Sequence, residues 1–494
     1  MQKHTINLQP LGKTIQVNDE TPLIDVLHEF GIEFPCGGKG TCGKCKVKLI
    51  TGEIEVSEKH GQQIEKLGLN SEWRLACYSN CTSDITLEVE QFNHIILADE
   101  SNFEFVPLLG FGVAVDLGTT TLVAQLIDLS TAKVIAVETM LNPQAKFGAD
   151  LISRIQSGID GKAVEMTTVI RSAIGSMIDL MLQKHNVEIR KIVIVGNTAM
   201  QLIFSREDVS PLAMYPFEVK NLGMKTFIPN ELGWKTKVAE SVQFYPSIGS
   251  FVGSDILAGI AATGLGEKEH YTALIDLGTN GEIVVGNKDR IVCASTAAGP
   301  AFEGTNISMG MRAVTGAISS LHLENGKIIA NVIGNTEPKG ICGSALVDAI
   351  AIFRKLEMIG DFGDINSGDT QISIAGKVKI TRKDINEFQL AKAAIAAGLE
   401  ILTQELSIQL SDINELYIAG GFGSYINLKH VSEIGMIELP EQKIRKMGNT
   451  ALLGAKMFLF SNLKIVEDIL VKTIHVNLET NPDFENIFVD KILF

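Results

Sequence analysis

Two copies of one short pattern constrain the fold of this chain more than any other feature. Asp116-Leu117-Gly118-Thr119 and Asp276-Leu277-Gly278-Thr279 lie 160 residues apart, and each follows an apolar run. Each copy predicts a strand that ends in an aspartate, then a Gly-Thr turn and a second strand. Such a hairpin presents backbone amides to phosphate oxygens, and its carboxylate suits a hydrated Mg²⁺ ion. The internal repeat therefore predicts two related halves that grip a nucleotide's phosphates from both sides of a cleft.

A third pattern adds to these hairpins, because the apolar run 416–419 leads directly into Gly420-Gly421. In this order the three patterns resemble the phosphate-1, phosphate-2 and adenosine motifs of the actin, Hsp70 and sugar-kinase ATPases. The resemblance implies an α/β, actin-like ATPase domain with a duplicated, ribonuclease-H-like fold that binds ATP and Mg²⁺. Three unrelated glycine turns in an α/β protein are the competing interpretation, which the order and spacing of the patterns disfavour.

The resemblance also assigns roles to individual residues. Asp116 and Asp276 are expected to be catalytic, since each would orient hydrated Mg²⁺ or the attacking water. Asp255 lies near a predicted helix start, where an ordinary first-turn charge explains it. The residues expected to bind the nucleotide all lie in glycine turns or at a helix start: Gly118, Thr119, Thr120, Asn197, Thr198, Gly278, Thr279, Asn280, Gly281, Gly299, Gly420 and Gly421.

Five of the seven cysteines lie within the first 81 residues. Cys36, Cys42 and Cys45 follow a Cys-x5-Cys-x2-Cys spacing on a glycine-rich loop, and Cys77 follows Arg74-Leu75-Ala76. Three thiolates on such a loop can surround a small inorganic cluster and leave amides free to bond its sulfurs. A zinc site would favour paired Cys-x2-Cys knuckles, of which one is present, and a pair of disulfides is the other alternative.

This segment resembles the [2Fe–2S] ferredoxins, whose α+β domain has the β-grasp fold. The resemblance implies a [2Fe–2S] cluster on Cys36, Cys42, Cys45 and Cys77, and it leaves Cys81 as a structural residue. The first gap holds five residues, which is closer to the adrenal-type ferredoxins than to the plant type with four. The predicted divisions of the chain are a ferredoxin-like domain at 1–92, a linker at 93–110, and ATPase subdomains at 111–270 and 271–494.

Composition excludes several classes of function. A net charge of −15 argues against nucleic acid as a partner. The sequence has no run of eighteen apolar residues, and its beginning lacks the apolar stretch of a signal peptide. We therefore expect a cytoplasmic protein that does not bind a membrane.

A cluster and an ATPase on one chain resemble the reductive activators of corrinoid proteins. Further segments that carry this resemblance are Asn142-Pro143-Gln144 and the ranges 148–155, 196–200 and 477–488. It implies ATP-dependent, one-electron reduction of Co(II) to Co(I) in the corrinoid protein of a methyltransferase system. It also implies an upstream electron donor, and it leaves a homodimer open. Larger members of this family carry linker and middle domains between cluster and ATPase, and the sequence predicts that residues 93–110 replace them here.

Two other functions stay open at this point. One is an ATP-dependent electron donor to another low-potential metalloenzyme, similar to the activators of 2-hydroxyacyl-CoA dehydratases. Those use a [4Fe–4S] cluster shared between subunits, and no matching cysteine pair follows residue 81. The other is an actin-like scaffold with a ferredoxin redox sensor, which predicts ATP-dependent polymerisation. A flexible linker of this length would reach roughly 20–25 Å, so the cluster domain is expected to move without rigid coupling to the phosphates.

Overall fold

The computed structural model describes residues 2–9, 13–27, 45–88, 103–148, 151–278, 280–303, 307–311, 316–423, 425–461 and 463–494. These ranges form an N-terminal domain and two larger units, which we call the first half (111–270) and the second half (271–494). Among the described residues, the structure has no helix with the length and apolar character needed to cross a membrane.

The N-terminal domain is a mixed sheet with short helices, as the sequence predicts. Its sheet has the strand order β2-β1-β7-β4-β5, in which β1 and β7 are parallel and the other neighbours are antiparallel. This arrangement confirms the β-grasp prediction. Its elements are β1 Lys3–Gln9, β2 Lys13–Asn18, β3 Thr21–Pro22, α1 Leu23–Leu27, β4 Lys46–Thr51, α2 Glu58–Lys66, β5 Trp73–Leu75, β6 Asn80–Cys81 and β7 Ile85–Glu88.

The first half is a twisted sheet with helices on both faces. Its strand order is β10-β9-β8-β11-β13-β12. The elements are β8 Phe111–Leu117, β9 Thr121–Asp128, β10 Lys133–Leu141, α3 Leu151–Ser157, α4 Ala163–Lys184, β11 Ile189–Gly196, α5 Thr198–Ser205, β12 Lys225–Phe227, β13 Val242–Phe244 and α6 Ser254–Thr263.

The second half repeats this plan and adds two small sheets, β18-β17-β19 and β20-β21. Its main sheet has the order β23-β22-β14-β15-β16-β24. The elements are β14 Thr272–Leu277, β15 Gly281–Gly286, β16 Ile291–Thr296, β17 Ala317–Glu324, β18 Lys327–Val332, β19 Gly340–Ile341, α7 Gly343–Lys355, β20 Gln371–Ala375, β21 Val378–Thr381, α8 Arg382–Glu405, β22 Glu415–Ala419, α9 Gly420–Gly423, α10 Leu428–Glu433, β23 Ile444–Gly448, α11 Thr450–Phe460, α12 Leu463–Lys472, β24 Thr473–His475 and α13 Phe484–Ile492.

The two main sheets share one topology. In the first half β10, β9 and β8 form an antiparallel meander, and β11 and β13 continue from β8 in parallel. In the second half β16, β15 and β14 form the meander, and β22 and β23 continue in parallel. The repeat that the two Asp-Leu-Gly-Thr patterns predict therefore extends to five strands of each main sheet.

The central strands are apolar along their length because both of their faces are covered. In β8, Val113 and Val115 belong to the core beneath α4, whereas Ala114 belongs to the core beneath α6 and α11. The equivalent strands β8 and β14 place Asp116 and Asp276 near their carboxyl ends.

Helices α6 and α11 cross each other and join the two halves. They are the equivalent helices of the repeat, since α6 follows β13 and α11 follows β23. Gly454 lies at their closest approach, where a Cβ atom would be 2.1 Å from the Ala258 carbonyl oxygen. Tyr245 of the first half also stacks on Phe458 of α11, with ring centroids 4.5 Å apart. Residues 451–455 of α11 therefore lie in a closely packed contact with α6.

The N-terminal domain lies against both halves, which differs from the expectation of an independently moving domain. Lys13 forms an ion pair with Glu138 of β10. The described part of the linker is also bound, because Phe105 packs on Phe460 with centroids 5.0 Å apart and the Leu108 amide donates to the Leu129 carbonyl. Residues 93–102 of the predicted linker lie outside the described residues.

The close crossing of α6 and α11 predicts that Gly454→Ala destabilises the protein. The added methyl group has no room beside the Ala258 carbonyl, and overpacking of this kind costs about 1–3 kcal/mol. Chemical denaturation should show this loss of unfolding free energy. Gly61→Ala in α2 is the matched control, since its Cβ would lie 3.8 Å from Val56. Equal denaturation midpoints for Gly454→Ala and wild type would contradict the prediction.

Candidate functional site

The first hairpin connects β8 to β9 and is held by local polar contacts. The Gly118 amide donates to the Thr121 carbonyl at 3.0 Å. Asn142 Nδ2 donates to the Gly118 carbonyl at 2.9 Å, and Asn197 Nδ2 donates to Thr119 Oγ1 at 2.9 Å. Asn197 also caps α5, because its side-chain oxygen accepts the Met200 amide. The turn is thus fixed by side chains from two neighbouring segments before any ligand binds.

The second hairpin has the same form and adds a second acidic residue. Asp276 at the end of β14 pairs in register with Glu282 on β15. The Gly278 amide donates to the Asn280 carbonyl at 3.0 Å. Gly420 follows β22 with φ +85°, and a Cβ there would be 2.6 Å from Asp276 Oδ1. Only glycine allows the chain of the predicted adenosine motif to pass so close to this carboxylate.

Four carboxyl groups, Asp116, Asp255, Asp276 and Glu282, lie close enough to influence one another. Burial raises the pKa of Asp276 to about 7, and the charges of Asp255 and Asp116 add to this effect. Burial also raises the pKa of Asp255 to about 7, with a contribution from Asp116. The pKa of Glu282 is raised well above its usual value by burial, Asp255 and Asp276. This cluster spans both halves of the molecule.

Asp116 has the smallest shift in the cluster. Burial raises its pKa to about 6, and a hydrogen bond from Asn449 opposes the shift. The Asn449 Nδ2 donates to Asp116 Oδ2 at 2.8 Å, while its Oδ1 caps α11 through the Leu452 amide. Asn449 therefore connects the second half directly to Asp116 of the first half.

Asp255, Glu282 and Asn449 are the site residues that sequence reasoning missed. Asp255 was interpreted as an ordinary helix-start charge, and Glu282 lies on a strand whose pattern is otherwise apolar. The spacing from Asp276 to Glu282 on one hairpin was a usable signal, because paired strands bring the two residues into register. Asn449 is more than 300 residues from Asp116, so only the tertiary fold joins them.

No three of the His, Cys, Asp and Glu residues in the described ranges are grouped closely enough to hold an ion. A Mg²⁺ ion keeps several of its waters and is usually bound through few carboxylates together with substrate phosphates. Asp116, Asp255, Asp276 and Glu282 are the residues that would lie near a hydrated Mg²⁺ ion if one entered together with nucleotide phosphates.

The other predicted nucleotide residues occupy varied positions. Thr120 and Asn280 lie in the two turns, and Gly299 and Gly421 have open space where a side chain would be. Thr198 is buried, and its hydroxyl donates to the Gly249 carbonyl at 2.6 Å. Gly281 lies inside β15, where a Cβ would be 2.2 Å from Ile395.

Thr279 lies outside the described residues. The nucleotide roles of the whole predicted set stay predictions.

Two of the four predicted cluster ligands are described, and they lie together. The Sγ atoms of Cys45 and Cys77 are 3.2 Å apart, which is too long for a disulfide. The Ala76 amide donates to the Cys45 carbonyl at 2.9 Å, and the Leu75 amide donates to Nε2 of buried His60 at 2.9 Å. These bonds fix the turn that carries Cys77, so the thiol pair fits two ligands of one cluster.

Cys36 and Cys42 lie outside the described residues, so their ligand roles stay predictions. Cys81 is buried, and its thiol donates to the Ser83 carbonyl at 3.3 Å. Burial raises the pKa of this thiol, which favours the protonated form. Cys81 therefore has the surroundings of a structural cysteine.

Comparison with known protein families divides the chain into three matches. Residues 6–82 match the 2Fe-2S iron-sulfur cluster binding domain, and residues 270–494 match the C-terminal domain of RACo, the ASKHA domain. Residues 111–268 match the RACo middle region. The expectation that this chain lacks a middle region is therefore wrong, because its first half corresponds to that region.

Individual relatives match over most of their length. The chain is 31% identical to the corrinoid activation enzyme RamQ of Eubacterium limosum, and the alignment covers 98% of both chains. It is 27% identical to the [Co(II) methylated amine-specific corrinoid protein] reductase of Methanosarcina barkeri, over 78% of this chain and 77% of that protein. A solved structure of a reductive activator for corrinoid, iron-sulfur protein superposes with a TM-score of 0.68 at 28% identity, covering 99% and 98% of the two chains.

The carboxylate cluster predicts that Asp255→Asn stabilises the metal-free protein at alkaline pH. A carboxyl group with a raised pKa in the folded protein contributes most to the free energy of unfolding at low pH. This contribution is lost as pH rises toward about 7, where Asp255 and Asp276 ionise. Removal of one charge should relieve this repulsion, by on the order of 1–3 kcal/mol at pH 8 and by little at about pH 4, where an unfolded aspartate is itself about half protonated. Melting curves at both pH values test this, with exposed Asp289→Asn as the control. A midpoint at pH 8 no higher than that of wild type would contradict the prediction.

The thiol geometry predicts different outcomes for two neighbouring cysteines. Cys77→Ala should abolish the visible absorption of the cluster, because this thiol lies beside Cys45. Cys81→Ala should keep that absorption, because its thiol is directed to the Ser83 carbonyl. Absorption spectra of anaerobically purified variants give the answer, and a normal spectrum for Cys77→Ala would disprove the ligand assignment.

Proposed function

The chain belongs to the family of corrinoid activation proteins that includes RamQ, and on that premise we propose that it reactivates a corrinoid protein by ATP-dependent reduction of Co(II) to Co(I). The observation that carries the proposal is the pairing of two sites on one chain. The Cys45–Cys77 thiol pair suits an iron–sulfur cluster, and the cleft with four carboxyl groups suits a nucleotide.

The proposed cluster has Cys36, Cys42, Cys45 and Cys77 as ligands. When bound, a [2Fe–2S] cluster supplies a one-electron donor of low potential. The protein's own part is to hold the ligand turn rigid. The bonds from Leu75 to His60 and from Ala76 to Cys45 do this, because they fix the backbone on both sides of the thiol pair.

In the proposed nucleotide site each half contributes one phosphate-binding hairpin. The amides and hydroxyls near Gly118 and Gly278 bind phosphate oxygens, and Gly420 with Gly421 leaves room for the adenosine. Asp116 and Asp276 orient hydrated Mg²⁺ or the attacking water, and Asp255 and Glu282 add charge that attracts the ion. The raised pKa of Asp276, about 7, also suits a residue that accepts a proton from water near neutral pH.

ATP is needed because the electron transfer is uphill. Each 59 mV by which the acceptor lies below the donor disfavours a one-electron transfer about tenfold. Binding or hydrolysis of ATP can change the angle between the halves, since the nucleotide contacts both. A change of this kind would alter the surface that holds the corrinoid protein and so favour the reduced cobalt.

The remaining proposals concern partners, location and domain limits. We propose an upstream electron donor that reduces the cluster, and no binding to nucleic acid or membranes. A cytoplasmic location is consistent with the buried thiols of Cys293 and Cys342, which a reducing compartment preserves. The proposed units remain 1–92, 93–110, 111–270 and 271–494.

Anaerobic spectroscopy tests the function directly. The pre-reduced protein is incubated with a Co(II) corrinoid protein, with and without Mg²⁺–ATP, while Co(I) absorption is followed. We expect Co(I) only with ATP, and Asp276→Asn should slow its formation about 10²–10⁴-fold. Asp289→Asn, in an exposed turn of the same half, is the matched control. Equal Co(I) formation without ATP, or an unaffected Asp276→Asn variant, would contradict the proposal.

A further inference from the structure

The apolar core of the N-terminal domain does not end at the domain's own boundary. It is continuous with Val137 of β10 in the first half, and with Ala317, Ile333 and Cys342 of the second half. All four of these residues are buried. The core of the N-terminal domain is therefore shared with both halves of the ATPase.

An ion pair lies beside this shared core. Lys13 of β2 contacts Glu138 of β10, whose side chain is only 2% exposed. Lys184 of α4 lies 3.9 Å from the other oxygen of Glu138. A buried carboxylate without a cation is costly, so Lys13 contributes to docking, whereas Lys184 remains near Glu138 when the N-terminal domain leaves. The ion pair between Lys13 and Glu138 can therefore break while Glu138 keeps a cation nearby, as a reversible interface requires.

The described part of the linker, residues 103–110, which we call the tether, contacts α11, one of the two helices that join the halves. Phe103 and Phe105 pack against Phe460 at the end of α11, with centroids 5.8 and 5.0 Å away. Lys456 of the same helix lies over the Phe103 ring at 5.5 Å. Because α11 crosses α6, rotation of one half against the other also moves the attachment point of the tether.

We propose that the N-terminal domain is a clasp that docks across both halves, and that binding of Mg²⁺–ATP releases it so that the cluster can reach an external acceptor. The inference rests on the proposed ATP-dependent electron transfer and adds its regulation. The N-terminal domain packs against both halves at once. This interface cannot adjust gradually when one half rotates against the other, because tightly packed cores change between discrete arrangements. Closure of the nucleotide cleft and docking of the N-terminal domain therefore oppose each other.

Linkage makes this opposition measurable in both directions. If Mg²⁺–ATP weakens docking by a given factor, then docking weakens the binding of Mg²⁺–ATP by the same factor. A variant that loses only the Lys13 contact should thus bind nucleotide more tightly, although Lys13 lies in a different domain from the cleft.

Chemical reactivity of Lys13 reports docking in the intact, cluster-loaded protein. The Lys13 side chain is 26% exposed and its ammonium group is paired with Glu138, so brief acetylation by an N-hydroxysuccinimide ester should modify it slowly. Addition of Mg²⁺ and a non-hydrolysable ATP analogue should increase its modification at least about fivefold, the lower end of typical coupling. Lys48 is the internal control, since it is 33% exposed and its partner Glu72 belongs to the same domain. Peptide mass spectrometry quantifies both lysines in one sample.

Lys13→Gln tests the reciprocal effect. It should increase the affinity for the analogue at least about fivefold, whereas Lys48→Gln should leave it unchanged. The visible spectrum of the cluster shows that each variant is folded. The proposal is wrong if the analogue does not change the rate of Lys13 modification. It is also wrong if Lys13→Gln binds the analogue with the same affinity as wild type. Neither assay contains a corrinoid protein, so failure of the proposed reduction would be seen separately as absence of Co(I).

Discussion

The convergence of four carboxyl groups between two halves is the constraint on which the proposed nucleotide site depends. Asp116 and Asp276 come from the equivalent strands of the repeat, and Asp255 and Glu282 lie beside them. Like charges in a partly buried site repel one another, so the protein alone holds them at a cost in stability. A hydrated cation with nucleotide phosphates would offset that cost. Binding of the ligand would therefore be coupled to the position of one half relative to the other.

The crossing of α6 and α11 brings these groups together. Asp255 at the start of α6 belongs to the first half but raises the pKa of Asp276 in the second. Asn449 at the start of α11 belongs to the second half but hydrogen bonds to Asp116 in the first. Each half thus contributes one side chain beside the aspartate of the other half. Gly454 permits the close crossing of α6 and α11 that brings these side chains into place. Because the N-terminal domain shares its core with both halves, a rotation about this crossing would also reach the cluster.

Local patterns predicted one part of this arrangement and could not predict the rest. The two Asp-Leu-Gly-Thr hairpins and the strand before Gly420 follow from apolar runs and glycine turns, and the structure has strands in those places. The contacts of Asn449 with Asp116 and of Lys13 with Glu138 join segments that are distant in the sequence. No local pattern marks Asn449 or Lys13 as a residue that makes such a contact. The resemblance to the [2Fe–2S] ferredoxins, and not local spacing, grouped Cys77 with Cys45, because the two residues are 32 positions apart.

Proton release on nucleotide binding tests the central claim that the carboxyl groups act as one cation-dependent site. A preformed complex of Mg²⁺ with a non-hydrolysable ATP analogue is titrated into the protein at pH 6, in two buffers with different ionisation enthalpies. Asp255 and Asp276, with pKa values of about 7, are then largely protonated and must lose protons beside the ion. We predict release of about one proton or more per chain, and less from Asp255→Asn. Equal binding heats in the two buffers would contradict the account.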